Sequence, residues 1–320
     1  MKKIYSIIIL SAVFTLSSIY SCSDNLDINT DPLAATSADP NAVLPFVFGE
    51  YTARKVSELG TRLCDVSQYI SNTFNSPNRG ATSSTLTGNT WGVWYTGMLG
   101  NLSLVKRDAA AAGQKSNNVN AIATALMANA FLELTCIWED VPYTEALDGV
   151  SFPSPNFDDQ QTVLNGVVDL CDEAMMLIDT HDSVGEFLIS PTSDMYYGGD
   201  ISKWRVFANS LKLRTLMLLK NGGASVDDKI NECLDQPLMS SNDEVAYIEY
   251  AGTPGAQNAM LTIITAFFGP DNESQNIFGP GDPLDDLLNG SGDPRWDLWV
   301  ARNDLDAPGN DIFPDPSTSV

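Results

Sequence analysis

Apolar side chains recur along much of this chain at intervals of three and four residues, which is the spacing of one face of an α-helix. The clearest case runs from Ser202 to Lys220, where Trp204, Phe207 and Leu211 fall on one stripe. Ser202 is a residue type that caps helix N-termini, and the Asn-Gly-Gly sequence after Lys220 is typical of a helix end. The pattern predicts a helix over this stretch, with Ser202 as its N-cap.

The same periodicity predicts five more helices, the first of which Gly60 could interrupt. They cover about Val43–Phe74, Trp91–Ala112, Asn120–Trp138, Gln160–Ile178 and Ser225–Leu234. Strand-like alternation is best developed at Val245–Tyr250, and irregular stretches occupy 75–90, 146–159 and 269–281. The sequence therefore predicts a mainly α-helical fold of packed helix pairs with irregular, loop-rich portions. We find no strict repeat at tetratricopeptide spacing, so the pairs would be degenerate.

The N-terminus has the composition of a secretory signal. Lys2 and Lys3 precede an apolar run from Ile4 to Leu16, which is too short to cross a bilayer comfortably and is followed by small polar residues. No later segment stands out as an uncharged apolar stretch of membrane-spanning length, and Leu261–Phe268 is the most apolar of them. We therefore expect the leader to direct export and the rest of the chain to stay outside the bilayer.

Cys22 follows the small residue Ser21 at the end of this leader, as lipoprotein processing requires. Tyr20 is bulkier than the usual residue at its position, so ordinary signal cleavage is the alternative. Several acyl chains on one cysteine make a durable membrane anchor. We expect residues 1–21 to be a signal peptide and residues 22–40 to be a lipidated cysteine with a flexible tether.

The charge balance is strongly acidic. The chain has 17 basic and 41 acidic residues, a formal net charge of −24, and the leader contains two of the lysines. Such a field repels nucleic acids and anionic lipid headgroups, so neither is an expected partner. Because 18% of the residues are charged and 43% are hydrophobic, the composition is that of a globular protein and not of a disordered acidic tail.

Besides Cys22 the chain has four cysteines, which allow three complete pairings among which the sequence does not choose. Cys136 and Cys171 lie within apolar helical patterns, where a buried free thiol behaves as a small hydrophobic residue; the other two are Cys64 and Cys233. His181 is the single histidine, and the chain has no C-x-x-C motif. We therefore expect no metal, no cofactor and no histidine-based catalysis.

Four segments together resemble the signature of the SusD/RagB-like family of nutrient-binding outer-membrane lipoproteins. They occur in the order and rough separation that the family shows, so the resemblance covers about residues 22–300. The segments are L-D-I-N-T-D-P at 26–32, W-E-D-V-P-Y-T-E-A-L at 138–147, D-M-Y-Y-G-G-D with S-K-W-R-V-F-A-N-S-L-K-L-R at 194–214, and G-D-P-R-W at 292–296.

The resemblance implies a tetratricopeptide-like superhelix that faces the cell exterior and binds oligosaccharide or polysaccharide without catalysis. It also implies delivery of that ligand to a SusC-like TonB-dependent transporter. A receptor for peptides or other nutrients on the same scaffold is the alternative, as is a helical-repeat interaction module. Family members continue well beyond the G-D-P-R-W motif, so residues 41–320 would be a C-terminally truncated SusD-like domain.

Candidate ligand-binding residues lie where aromatic and polar side chains occur together, because sugars present apolar C–H faces and hydroxyl edges. The polar loop before the second predicted helix offers Arg79 and Asn89 and leads into Trp91 and Trp94, and Trp296 follows the G-D-P turn. The resemblance implies that sugar contacts come partly from this loop region. Tryptophans at the start of a helix are also common packing residues, and that alternative stays open.

A group of acids surrounds Pro142 in the W-E-D-V-P-Y segment: Glu139, Asp140, Glu145 and Asp148. Two carboxylates at a suitable separation can hydrolyse glycosides. Acids beside a helix-ending proline are more often caps and solvated groups, and the segment resembles a motif of non-catalytic proteins. We therefore expect no catalytic residue.

Overall fold

Helices account for most of the residues that the computed structural model describes, which are 39–55, 60–72, 84–184, 186–251, 253, 258, 278–280 and 282–296. The α-helices are α1 (Pro40–Arg54), α2 (Thr61–Val66), α3 (Ser84–Gly92), α4 (Gly100–Ala112), α5 (Asn117–Trp138), α6 (Gln160–Asp179), α7 (Ile201–Asn221), α8 (Asp227–Leu234) and α9 (Asp282–Leu288). A π-helical segment, Val93–Leu99, joins α3 to α4. The mainly α-helical prediction is confirmed.

Two short strands and two single turns of 3₁₀-helix complete the described part of the chain. Strand β1 (Ile70–Asn72) pairs antiparallel with β2 (Phe278–Pro280). The 3₁₀ turns are Gln114–Ser116 and Asn242–Glu244. Cys22, Arg79 and the expected tether up to residue 38 lie outside the described residues, whereas Asp39 and Pro40 already belong to the N-terminus of α1.

Helix α5 forms the centre of the core. It packs against α4, α6 and α7, while α6 also packs on α7 and α7 on α8. By length and composition, α5 together with the preceding 3₁₀ turn could cross a membrane. This corrects the expectation that no segment after the leader is long and apolar enough to do so. Its most apolar window is 78% buried inside the protein, so its hydrophobicity serves the core.

A buried polar group connects α1 to α5. The Tyr51 hydroxyl donates a 2.6 Å hydrogen bond to Oε1 of Glu133, and Asn129 donates one of 2.6 Å to the same hydroxyl. Lys55 forms an ion pair with Glu133. Burial, together with the nearby Glu133 carboxylate, raises the pKa of Tyr51 well above its usual value of 10.0. The phenol is therefore a neutral donor that fixes α1 on the core.

The helix predicted at 202–220 is confirmed as α7, but its N-cap is Asp200 and not Ser202. Oδ1 of Asp200 accepts from the Ser202 backbone N–H at 3.1 Å and from the Ser202 hydroxyl at 2.5 Å. A carboxylate just outside the helix thus satisfies one of the free N–H groups of the first turn. A basic residue of α7 pairs with a carboxylate of α6, since Arg205 Nε lies 2.9 Å from Oδ1 of Asp179.

Three secondary-structure predictions are wrong in part. The first predicted helix does not continue to Phe74: Gln68 has a φ of +61°, and strand β1 follows. Residues 84–90 are helical where an irregular stretch was expected. The stretch Val245–Tyr250 has the predicted alternation of exposure but no ladder partner among the described residues, so it does not form a strand there. Pairing depends on a distant partner, which a local pattern does not reveal.

One of the cysteines, Cys136, differs from expectation. Cys64, Cys136, Cys171 and Cys233 are all free thiols. Cys171 and Cys233 are buried, as a small hydrophobic residue would be, whereas Cys136 is exposed. Cys136 lies in the last turn of α5, where the helix emerges from the core, so its place in an apolar pattern did not imply burial.

Candidate functional site

Four aromatic side chains meet where α3 and the π-helical segment approach the end of α5. The ring centroid of Trp91 lies 4.8 Å from that of Tyr95, 5.4 Å from that of Trp138 and 5.9 Å from that of Phe157. The Trp138 ring is perpendicular to the Trp91 ring, whereas the Phe157 ring is stacked on it at 21°. We call these four residues the aromatic platform.

The platform reaches solvent. Phe157 is 63% exposed, and Trp91, Tyr95 and Trp138 are half-buried. Because the Phe157 ring is mostly exposed, its burial contributes little to the stability of the fold. The other three rings are each partly buried in the protein. The arrangement offers a broad apolar face supported from behind by packed rings.

Hydrogen bonds hold the loop that carries Phe157, which joins α5 to α6. The Tyr95 hydroxyl donates to the Pro142 carbonyl at 2.7 Å, so a platform residue is fastened to the first part of the loop. Glu145 accepts from the backbone N–H of Asn156 at 2.7 Å, which ties the two sides of the loop together next to Phe157. The platform is therefore organised before any ligand arrives.

Asp158 reinforces the same loop. Its backbone forms a bridge with Val141 in both directions, at 3.0 and 3.1 Å. Its Oδ2 accepts from the backbone N–H groups of Tyr143 and Thr144 at 2.9 and 2.8 Å. The residue that follows Phe157 thus fixes the loop to the end of α5.

The acids of this loop act as structural acceptors. Asp148 accepts from the Ser151 backbone at 3.0 Å, and Asp140 accepts from the Gln160 backbone at 3.2 Å. The hydrogen bonds from Ser151 lower the pKa of Asp148 below its usual value. A general acid for glycoside cleavage needs a raised pKa, so Asp148 does not suit that role. The expectation that these acids are caps and solvated groups agrees with the geometry.

The structure separates the candidate residues. Trp91 belongs to the aromatic platform. Trp94 is fully buried, with its ring edge-on to Tyr51 at 5.7 Å, so its indole is core and does not reach a ligand. The reason is the helical rotation between the two tryptophans, which places Trp94 on the inward face. Asn89 is exposed, but it lies on α3 and not in a loop.

Trp296 is half-buried beside a surface ion pair. Arg295 forms a bidentate contact with Asp293, which lowers the pKa of Asp293 to about 2. Among the described residues, no aromatic ring packs on Trp296, so it does not extend the platform. Within the same part of the chain, no three potential metal ligands converge.

Sequence reasoning missed Phe157 and Trp138 as site residues. Phe157 is an aromatic residue within a polar, proline-containing loop, and that composition was an available signal. Trp138 was noted only as part of the acidic segment. Their contact with Trp91 joins three separate stretches of sequence, and a single sequence does not display such distances.

Comparison with known proteins gives one family match. A SusD-like family model described as "Starch-binding associating with outer membrane" matches residues 34–311. A comparison with curated proteins finds no match.

Solved structures share the fold at low sequence identity. A SusD/RagB family protein from Bacteroides thetaiotaomicron matches with a TM-score of 0.66 and 20% identity, over 81% of this chain and 53% of its own. A protein described as chitin-binding matches at 0.63 and 21%, over 81% and 54%. A chitin-binding SusD homolog from Flavobacterium johnsoniae matches at 0.62 and 20%, over 80% and 52%. The matched part is thus about half the length of these structures.

Proposed function

This chain belongs to the SusD-like family of starch-binding proteins that associate with the outer membrane, and from that membership we propose that it is a non-catalytic receptor that binds oligosaccharide on the aromatic platform. The observation that carries the proposal is the exposed Phe157 ring stacked on Trp91. Its surroundings suit a sugar better than they suit a reaction, because three nearby acids, Glu145, Asp148 and Asp158, accept hydrogen bonds from backbone N–H groups.

The chemistry of the platform fits a pyranose. Aromatic rings contact the C–H faces of sugars over a large area and lose little side-chain entropy in doing so. Glu139 and Asp140, which directly follow Trp138, are exposed, and a carboxylate has acceptor capacity for several hydroxyl groups. Because the net charge of the chain is −24, a neutral glycan is a more suitable ligand than an anionic one.

The ligand class can be tested directly. Two structural neighbours are described as chitin-binding and the family as starch-binding, so chitin and maltose oligosaccharides are the first probes. Isothermal titration of the full chain in detergent micelles should give saturable binding to at least one of them, and chromatography should recover the sugar uncleaved. Absence of binding to any glycan, or release of shorter products, would contradict the proposal.

We also propose that Cys22 is lipidated, that the tether holds the helical body at the cell exterior, and that the bound glycan passes to a SusC-like TonB-dependent transporter. The leader and the position of Cys22 support the anchor, and the family resemblance supports the partner. Palmitate labelling should be lost in Cys22→Ala, and an outer-membrane barrel should co-purify with the labelled protein. An unlabelled wild-type chain would rule out the anchor, and elution without a barrel would argue against the partner.

A peptide receptor is the second candidate. The stretch 245–250 favours it, since its backbone has no ladder partner among the described residues and an added peptide could supply one. Binding of peptides without binding of any glycan would establish this alternative.

A further inference from the structure

A cavity separate from the aromatic platform lies between the turn before α7 and the chain that follows α8. Its volume is about 390 Å³, within the range of small-molecule sites. The residues that shape it include Tyr196, Tyr197, Lys203, Asn242, Tyr247 and Glu249. None of them belongs to the platform, whose residues come from 91–157.

One wall of the cavity is fixed by a buried carboxylate. Asp194 is 1% exposed and accepts backbone N–H bonds from Tyr196, Tyr197 and Gly199, at 3.2, 3.2 and 2.9 Å. Gly198 and Gly199 have φ values of +63° and +88°, which glycine adopts without strain. The turn therefore presents both tyrosines in a set geometry.

The opposite wall is attached to the first. The Tyr197 hydroxyl donates to the Glu244 carbonyl at 2.9 Å, and Lys203 Nζ donates to the Asp243 carbonyl at 3.1 Å. The 3₁₀ turn that contains these carbonyls is closed by a capping box between Ser241 and Glu244. Both walls are thus organised without a ligand, which lowers the entropic cost of binding one.

Tyr247 completes the cavity from the stretch 245–250. Exposure alternates along that stretch, so Tyr247 and Glu249 share one face and Ile248 points the other way. Tyr247 is 56% exposed, although it is a large aromatic side chain. An exposed phenol in a concave site offers an apolar ring and a hydroxyl to the same ligand.

The lining selects for a neutral, hydroxyl-rich ligand. The exposed Tyr247 ring supplies a face for C–H groups, and the amide of Asn242 and the carboxylate of Glu249 supply donors and acceptors for hydroxyls. One ammonium group, Lys203, stands among two carboxylates, Asp243 and Glu249, so the lining is net negative and disfavours an anionic ligand.

We propose that this cavity is a second saccharide-binding site, which holds a sugar unit independently of the aromatic platform. The proposal rests on the function proposed above, since it assigns a further site for the same ligand class. A long glycan that occupies both sites of one chain would be bound by avidity, so a polymer would bind more tightly than a short fragment.

Calorimetry with a trisaccharide tests the site, because so short a probe occupies each site separately. Using the glycan series that binds the wild-type chain, we expect two sugars per wild-type chain and one each for Tyr247→Ala and Phe157→Ala. Tyr69→Ala is the matched control, because Tyr69 is 58% exposed and belongs to neither site, and it should still bind two. For a long oligosaccharide, either single-site variant should bind roughly ten-fold or more weakly than wild type.

The outcomes separate the two proposals. One sugar per wild-type chain, lost in Phe157→Ala and unchanged in Tyr247→Ala, would overturn the second site and leave the platform standing. One sugar lost in Tyr247→Ala alone would support the cavity and remove the platform. A chain that binds no saccharide would refute both. Binding of trialanine that Tyr247→Ala abolishes, without a saccharide at the cavity, would assign the cavity to peptides and overturn the inference.

Discussion

The indole nitrogen of Trp204 donates a 2.8 Å hydrogen bond to Oδ2 of Asp194, and both residues are almost completely buried. The bond joins the first turn of α7 to the tyrosine-bearing turn that precedes it. Asp194 also accepts three backbone N–H bonds within that turn. The D-M-Y-Y-G-G-D turn and the start of α7 are neighbours in the sequence. The Asp194 carboxylate joins them into one structural unit.

We expect Asp194→Ala to destabilise the chain by about 3 kcal/mol. The substitution leaves the Trp204 indole N–H and three backbone N–H groups without their acceptor in a buried setting. Chemical denaturation monitored by tryptophan fluorescence measures the change in the free energy of unfolding. Asp194→Asn keeps one side-chain acceptor oxygen and should cost less; equal stability of Asp194→Ala and wild type would contradict the assigned role.

We expect Phe157→Ala to weaken binding of the recognised oligosaccharide by about ten-fold or more, through lost aromatic contact. Because Phe157 is 63% exposed, the free energy of unfolding should change little. Phe46→Ala is the matched control, since Phe46 is 51% exposed on α1 and outside the platform. Calorimetry and denaturation of both variants separate binding from stability. Equal losses of affinity in the two variants would show that the platform is not the contact surface.

The sequence predicted the helices well where periodicity was long and local. Helix α6 begins at Gln160 as predicted and ends one residue after Ile178, because its stripe and its N-terminal Asp159 act within a few residues. The turn Gly292-Asp293-Pro294 is also as predicted, with Asp293 accepting from the Arg295 N–H at 2.9 Å. Local capping and patterning carry such information.

The site was predicted only in part, because its geometry depends on contacts between distant residues. Trp91 and Trp94 look alike in sequence, but one faces Phe157 at the surface and the other faces Tyr51 in the core. The predicted strand at 245–250 shows the same limit, since its alternation is real and its pairing is absent among the described residues. A local pattern shows which residues share a face of an element. Their contacts can be predicted only when the element that packs against this face is known.

We expect stability to fall at alkaline pH. Burial raises the pKa of Tyr143 to about 12 and that of Tyr196 to about 12, and it raises the pKa of the Cys171 thiol. In the unfolded chain these groups ionise at about pH 8.5–10. Their contribution to the free energy of unfolding is therefore complete below the pKa values of the unfolded chain. It is lost as pH rises towards the pKa values of the folded chain.

Urea unfolding at about pH 7 and about pH 11 tests this sign. The free energy of unfolding should be lower at the higher pH. Tyr143→Phe keeps the ring but removes one ionisable group, so its loss of stability between the two pH values should be smaller than that of wild type. Equal free energies at both pH values would refute the prediction.

We expect the thiols to react in the order of their exposure. Cys136 is exposed, whereas Cys171 and Cys233 are buried. Desolvation raises the pKa of all three thiols, so exposure decides the order. Because the thiolate is the reactive form, both buried thiols should resist iodoacetamide until the chain unfolds. Peptide mass spectrometry after brief labelling, with and without urea, identifies the modified residues. Rapid labelling of Cys171 in the native chain would contradict the packing of α6 on α7.

We expect Gly166→Ala on α6 to destabilise the chain by about 1–3 kcal/mol through overpacking, although alanine is the better helix former by about 1 kcal/mol. A methyl group at this position would overlap the Tyr143 ring, and that ring cannot turn aside easily because it packs edge-on to Phe131 at 4.8 Å. Gly88→Ala on α3 is the control, as a methyl group there meets nothing within 4 Å.

The double variant Gly166→Ala with Tyr143→Ala separates the clash from helix propensity. Without the ring, the alanine at 166 should be neutral or stabilising, so the two substitutions should be strongly non-additive in denaturation measurements. Additive effects would mean that Tyr143 does not press on α6. Because the N–H of Tyr143 is held by Asp158, directly after Phe157, the same close contact also positions the platform's loop on the helical core.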